Sequence, residues 1–195
     1  MYKVIGYGGT RAFRLLWMLE ELHIPHRHDR VMPFTQAAHD AVPGGRLPAL
    51  ELRDGTILQD STAILSFLAD RYGALTHPPG SVERAVQEGW MHRVAERIDS
   101  PLMNWTSFMQ GRGPPPVPAV RAWVADCLAE GFAGAAASLP DTPWLAGEDF
   151  TIADIVLGHC LHWAERYQAL PEDARLRAYL ARVRQRPAYL AADSS

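Results

Sequence analysis

The apolar residues follow two different spacings, which divide the chain into a first part of strands and helices and a second part of helices alone. In the first part, apolar residues recur with a helical period between Thr10 and Ile24, and they alternate with charged residues around Asp54-Gly55. An Asp-Gly pair between alternating segments predicts a β-hairpin. The predicted elements are, in chain order, a strand at 2–7, a helix at 10–24, a strand at 26–32, a hairpin at 48–58 and a helix at 60–73.

Beyond a linker rich in proline and glycine, every long segment has the spacing of an amphipathic helix. The first of these helices is expected to bend near Pro101, because proline has no N–H to donate inside a helix. Thr151 and Asp154 precede an apolar run and predict a capping box. The predicted helices are 82–110, 119–139, 151–167 and 172–187. The sequence therefore predicts a mixed α/β domain at 1–75 and a helical domain at 83–195.

Composition and charge narrow the class of partner. The chain has 195 residues, a net charge of −3 and no run of basic residues, which argues against a nucleic-acid partner. No stretch approaches the roughly 20 apolar residues of a membrane span, and the first ten residues lack the apolar core of a signal peptide. Cys127 and Cys160 are far apart and have no metal-ligand spacing. We therefore expect a cytoplasmic protein with no nucleic-acid or membrane partner.

Two short features are candidate binding elements on residue chemistry alone. Pro48 heads the predicted hairpin although it has no N–H for a ladder, so either it only starts the strand or it exposes backbone to a ligand. Asp60 and Ser61 open a predicted helix, and both residue types are favoured as caps. The free N–H groups and positive dipole end of that helix would also form an anion site.

Two segments on either side of the linker carry a resemblance that covers nearly the whole chain. Residues 45–73, GRLPALELRDGTILQDSTAILSFLADRYG, resemble the glutathione-site segment of the cytosolic glutathione transferases. Residues 144–161, WLAGEDFTIADIVLGHCL, resemble the helical-domain signature of that family. The resemblance implies an α/β thioredoxin-like N-terminal domain followed by an all-α C-terminal domain. Residues 10–26 most resemble bacterial members that have Ser or Thr before an Arg.

The same resemblance implies a glutathione site. A cis bond before Pro48 would turn the backbone N–H and C=O of Leu47 outward, where they would pair with glutathione as an extended peptide. Ser61 would take the γ-glutamyl carboxylate while Asp60, usually Glu in the family, faces the amine. Arg46 would meet the carboxylate at the glycine end, or it is only a solvated charge.

The resemblance places the reactive thiolate at the start of the first helix. Thr10 falls at the position of the activating hydroxyl, where that hydroxyl and the helix dipole would act on the same sulfur. Arg11 could add a positive charge near the sulfur, and Tyr7 lies roughly where other members carry an activating phenol. The alternatives are that Thr10 is only the helix cap and that Tyr7 forms a wall of the apolar pocket. No cysteine lies in this loop, which argues against the members that form mixed disulfides.

The second substrate would be a small apolar electrophile. Trp105, Phe108 and Met109 are candidates for the lining of its pocket, although their helical spacing also suits a core. The histidines form no ligand set with cysteine or carboxylate groups, so no metal is expected. Glutathione is expected as a co-substrate, with no further cofactor.

The predicted function is conjugation of the glutathione thiolate to that electrophile by a homodimer. A glutathione-dependent isomerase, dehalogenase or ether-cleaving enzyme would use the same thiolate and differ only in the second pocket. A non-catalytic member that carries ligands or binds proteins is a further alternative. The Asp60-Ser61 pair disfavours that alternative, because a site that no longer binds glutathione need not keep those contacts.

Overall fold

The computed structural model describes residues 1–194, which form two compact units. The first unit contains Met1–Thr76 together with the segment that starts at Val183, and the second contains His77–Arg182. The predicted domains differ from these units at the C-terminus, because the last segment packs with the first unit rather than with the helices that precede it in the chain.

The first unit is built on a four-stranded mixed sheet with the order β2-β1-β3-β4. β1 pairs in parallel with β2, whereas the β1–β3 and β3–β4 pairs are antiparallel. The strands are β1 (Tyr2–Ile5), β2 (His26–Asp29), β3 (Ala49–Glu51) and β4 (Ile57–Gln59). Its helices are α1 (Ala12–Glu21), α2 (Gln36–Ala41) and α3 (Ser61–Tyr72). This topology confirms the predicted thioredoxin-like fold, and the short α2 was not predicted.

The second unit is helical, as predicted. Its helices are α4 (Val82–Val94), α5 (Ser100–Met109), α6 (Pro118–Ser138) and α7 (Ile152–Arg166), followed by α8 (Ala174–Arg184), whose last two residues belong to the first unit. α7 is buried along most of its length, from Ile152 to Leu161. Apolar burial on this scale is the main source of stability for such a unit. In residues 1–194, no helix is long and apolar enough to cross a membrane.

The predicted bend near Pro101 takes the form of a π-helical segment at Ala95–Asp99, between α4 and α5. A residue with an N–H at position 101 would donate to the Arg97 carbonyl in a regular helix, and Pro101 cannot. That carbonyl oxygen instead approaches Gly131 of α6 so closely that a Cβ at Gly131 would lie 2.1 Å from it. The glycine therefore allows α6 to pack against the bend.

A last helix, α9 (Pro187–Asp193), covers α1 within the first unit. The Tyr189 ring packs edge-on against Phe13 and Trp17, with centroid distances of 5.2 and 5.1 Å. The Arg186 guanidinium donates hydrogen bonds to both carboxylate oxygens of Glu21. The sequence predicted no helix after 172–187, yet this last segment is helical and fixes the helix that follows the first strand.

Candidate functional site

Three separate segments of the first unit converge at one end of its sheet. The loop from Gly6 to Thr10 leaves β1, and Pro48 lies against it: a Cβ at Gly6 would lie 3.5 Å from the Pro48 Cα. The third segment is the junction of β4 and α3, where the Gln59 side chain donates hydrogen bonds to the carbonyls of Pro43 and Arg46, each 3.0 Å long. The fold thus brings together the first helix, the proline and the start of α3.

Pro48 precedes the ladder rather than taking part in it. β3 begins at Ala49, and the Leu47–Pro48 peptide bond is cis. Leu47 is half-buried against the small cluster around Ile5, and in residues 1–194 its backbone N–H and C=O have no hydrogen-bond partner. Backbone groups that are not paired within the fold remain able to pair with an extended ligand.

Asp60 is the N-cap of α3, which confirms its predicted capping role. Its Oδ1 atom accepts hydrogen bonds from the backbone N–H groups of Thr62 and Ala63, at 2.9 and 3.0 Å, and from the Thr62 hydroxyl. All three contacts fall on Oδ1, so among the described residues Oδ2 accepts no hydrogen bond and is left for another partner. The φ angle of Asp60 is +70°, a conformation of the kind that costs a non-glycine residue about 1–3 kcal/mol and clusters at ligand sites.

The carboxylate of Asp60 is held in its ionised form. Burial alone would raise the pKa of Asp60. The hydrogen bonds from Thr62 and Ala63 and the positive charge of Arg14 outweigh burial, so the pKa lies below its ordinary value. The side chain therefore carries its negative charge at neutral pH and can face a ligand ammonium group.

Ser61 is buried at the first position of α3, where helix geometry leaves its N–H without an intrahelical partner. Its hydroxyl oxygen accepts a hydrogen bond of 3.1 Å from the Arg14 guanidinium. Because the hydroxyl accepts from Arg14, its own proton remains available to a ligand. A buried guanidinium, a hydroxyl proton and a helix N-terminus together form a positive environment that suits a carboxylate.

Arg14 is the residue of this site to which sequence reasoning gave no role. It is fully buried on α1 and links that helix to α3 through Ser61. The signal was present, since Arg14 is the only charged residue among the buried positions from Ala12 to Leu19. A charge on an apolar helix face needs a partner inside the protein, because an unpaired buried charge is very costly.

Thr10 lies just before α1, and its predicted place as the N-cap is wrong by one residue. The helix begins at Ala12, after Arg11, because the chain first closes a turn in which the Thr10 N–H and hydroxyl both donate to the Tyr7 carbonyl. The hydrogen bond from the Thr10 hydroxyl to the Tyr7 carbonyl is 2.7 Å long. The Thr10 hydroxyl oxygen in turn accepts a hydrogen bond of 3.3 Å from the Ala12 N–H. Thr10 therefore still satisfies one of the free N–H groups of α1.

The three candidates for sulfur activation occupy different environments. Thr10 and Arg11 are half-buried, whereas Tyr7 is 39% exposed. His28 of β2 fixes the start of this loop, because its Nε2 lies 2.8 Å from the Gly6 carbonyl oxygen. The loop that carries all three candidates is thus tied to the sheet at Gly6.

The candidates for the electrophile pocket lie on α5 in the second unit. Trp105 and Phe108 are half-buried, and Met109 is 51% exposed. The Arg121 guanidinium lies 5.6 Å from the centre of the Trp105 ring. Their role as a pocket lining stays a prediction. Residues 1–194 contain no cluster of His, Cys, Asp or Glu with the geometry of a metal site.

Comparison with known proteins gives the family. Residues 10–71 match the family model "Glutathione S-transferase, N-terminal domain", and residues 90–182 match "Glutathione S-transferase, C-terminal domain". The chain is 32% identical over 149 residues to glutathione S-transferase GstA of Escherichia coli O157:H7, a match that covers 74% of this chain and 71% of that protein. It is 31% identical over 130 residues to maleylacetoacetate isomerase of Pseudomonas aeruginosa, which covers 64% of this chain and 59% of the isomerase.

A solved structure shows the same fold. It is a glutathione transferase family member from Pseudomonas fluorescens with two bound glutathione molecules, and it superposes with a TM-score of 0.85 at 21% identity over 98% of this chain and 91% of the other. The two family models lie in the predicted order and together reach from the loop before α1 to α8. This chain therefore belongs to the glutathione S-transferase family of enzymes.

Proposed function

We propose that this chain conjugates the glutathione thiolate to a small apolar electrophile. The observation that carries the proposal is the N-terminus of α3, where a buried Ser61 has a spare hydroxyl proton and a spare N–H beside an ionised Asp60. The γ-glutamyl end of glutathione carries both a carboxylate and an ammonium group. Ser61 suits the carboxylate and Asp60 suits the ammonium group, so the pair matches both charges of that end.

The rest of glutathione would extend along Leu47. The unpaired N–H and C=O of that residue would form strand-like hydrogen bonds with the cysteinyl part of the tripeptide. Arg46 is exposed next to it, where its guanidinium would meet the carboxylate of the glycine end. Bound in this way, glutathione would direct its thiol toward the loop before α1.

Thr10 would stabilise the thiolate by donating its hydroxyl proton to the sulfur. For that purpose the hydroxyl must exchange its present bond to the Tyr7 carbonyl for one to the ligand. Lowering a thiol pKa by about two units requires about 2.7 kcal/mol. A charge-assisted hydrogen bond and the dipole of α1 together supply energy of this order.

In the reaction itself the thiolate attacks an electrophilic carbon, and a C–S bond forms. The bond to the leaving group breaks, and the leaving group departs with the electron pair, which yields a thioether. Trp105, Phe108 and Met109 are proposed to face the apolar electrophile, and the active protein is proposed to be a homodimer. A glutathione-dependent isomerisation is the second candidate, since the chain is 31% identical to a maleylacetoacetate isomerase.

The test is a pair of assays on the same preparations. Conjugation of glutathione to a chlorinated nitroaromatic should proceed above the uncatalysed rate, and the pKa of bound glutathione should follow from thiolate absorbance against pH. Thr10→Val deletes the donor but keeps the shape, so it should raise that pKa, while Tyr7→Phe is the matched control and should leave it nearly unchanged. The reverse pattern would assign the activation to Tyr7.

A further inference from the structure

A cavity lies in the first unit, and none of Thr10, Leu47 and Ser61 lines it. Its volume is about 380 Å³, which falls within the range of small-molecule sites. It opens where β1 begins, beside the turn of the β3–β4 hairpin and the C-terminal end of α3. The residues that line it are Tyr2, Leu52, Arg53, Asp54, Arg71 and Tyr72.

Two phenols form one wall of this cavity. Tyr2 is only 8% exposed and Tyr72 is 45% exposed, and their hydroxyl oxygens lie 3.0 Å apart. Burial and the hydrogen bond with Tyr72 raise the pKa of Tyr2, while the charges of Arg71 and Arg53 act in the opposite direction. Both guanidinium groups therefore lie close enough to act on the same phenol oxygen.

Neither of these two arginines forms an ion pair within residues 1–194, although the charge of Arg71 acts on Asp54 from a greater distance. In residues 1–194, the guanidinium groups of Arg53 and Arg71 lie farther than 4 Å from every carboxylate oxygen. Glu51, the last residue of β3 and two positions before Arg53, pairs with Lys3 at 2.6 Å instead. The exposed Arg71 guanidinium lies 5.6 Å from the centre of the Phe67 ring, within the range of a cation–π contact.

Asp54 is the one acidic group of the cavity, and the hairpin turn already uses it. One of its carboxylate oxygens accepts the Thr56 N–H at 3.0 Å, which lowers the pKa of Asp54. The two arginines therefore leave the cavity with one positive charge in excess. Guanidinium groups favour an oxyanion as ligand, because each can donate two parallel hydrogen bonds to a carboxylate or a phosphate.

We propose that this cavity binds a small organic oxyanion, a phosphate monoester or a carboxylate, between Arg53 and Arg71. The body of such a ligand would lie against Leu52 and the exposed ring of Tyr72. The cavity shares no residue with the proposed glutathione site, so a ligand can occupy it while glutathione is bound.

Isothermal titration of the full chain with phenyl phosphate tests this proposal, with inorganic phosphate and phenol as comparison probes. Phenyl phosphate should bind saturably, inorganic phosphate more weakly because it lacks the ring, and phenol not measurably. Arg53→Gln and Arg71→Gln should each weaken phenyl phosphate binding roughly tenfold, the usual effect of losing one charge-assisted hydrogen bond. Arg53→Lys should keep part of the affinity.

Arg27→Gln is the matched control, because Arg27 is exposed on the edge strand β2 of the same unit. Its affinity for phenyl phosphate should equal that of the unmodified chain. Glutathione titrations of Arg53→Gln and Arg71→Gln should be unchanged, which separates this cavity from the proposed function. Absence of saturable binding, or an equal loss in Arg27→Gln, would overturn the proposal.

Discussion

The N-termini of α3 and α7 each have an aspartate carboxylate in their cap, but the two carboxylates differ in how many of their oxygens the fold uses. At α3, Asp60 is itself the cap, and within residues 1–194 only one of its carboxylate oxygens accepts hydrogen bonds. At α7, Thr151 and Asp154 form the predicted capping box, which is confirmed. Both oxygens of Asp154 are engaged there, by the N–H of Leu145, by the N–H and hydroxyl of Thr151, and by the Tyr179 hydroxyl.

The two capping aspartates also differ in how deeply they are buried. Asp154 is fully buried, and burial raises its pKa although the donors from Tyr179, Leu145 and Thr151 act against it. Asp60 is exposed, and its donors hold its pKa low. A saturated, buried cap stabilises the fold and offers nothing to a ligand. A partly satisfied cap at the surface costs some stability and leaves donors and acceptors for binding.

The largest expected effect is that of Asp154→Ala on stability. The substitution leaves the Leu145 N–H, the Thr151 N–H and the Tyr179 hydroxyl without their acceptor inside the protein. Each such group costs about 1–3 kcal/mol, so the free energy of unfolding should fall by at least about 3 kcal/mol in urea denaturation. Asp149→Ala, an exposed neighbour, is the control and should stay within about 0.5 kcal/mol. Equal losses in the two variants would mean that the capping box does not stabilise α7.

Asp60→Ala should affect glutathione binding more than stability, unlike Asp154→Ala. Loss of an N-cap costs about 1 kcal/mol of stability. If Asp60 faces the ammonium group of glutathione as proposed, its removal should weaken glutathione binding more than it weakens the fold. Calorimetric titration and urea denaturation of the same variant measure the two effects side by side. A variant that loses stability and keeps its glutathione affinity would place Asp60 with Asp154 as a purely structural cap.

A smaller effect is the pH dependence of stability, which should have opposite signs for Asp60 and Asp154. The folded pKa of Asp60 lies below the ordinary value of 3.8, so its contribution is present above that pH and is lost as the pH falls through the folded pKa. The folded pKa of Asp154 lies above 3.8, so its contribution is present below that pH and is lost as the pH rises through the folded pKa. The stability advantage over the matching Asn variant should therefore shrink on acidification for Asp60 and grow for Asp154. Thermal unfolding between pH 7 and pH 3 gives both trends, and trends of the same sign would contradict the assignment.

Much of this architecture could be predicted from local sequence signals. The apolar spacing of the long helices, the Asp-Gly turn and the capping box each depend on residues close together in the chain, so the sequence alone predicts them. The close approach of the Arg97 carbonyl to Gly131 of α6 could not be predicted, because the two residues are far apart in the chain. α9 has seven residues and is too short to be stable alone, so it depends on packing against α1.

The candidate site shows the same division. Pro48, Asp60 and Ser61 could be selected because their positions at element ends carry a local meaning. The role of Arg14 depends on a hydrogen bond to a residue 47 positions later in the chain. No local rule contains that pairing, although a lone arginine on an apolar helix face indicates that some buried partner exists.

The most direct test of the central claim is calorimetric titration of glutathione into Ser61→Ala. If the N-terminus of α3 binds the γ-glutamyl carboxylate, the loss of one donor to that charge should weaken binding by about 1–3 kcal/mol. Ser66→Ala makes the same change on the same helix, five residues further along, and should leave the affinity as it was. Unchanged affinity in Ser61→Ala, or an equal loss in Ser66→Ala, would contradict the account.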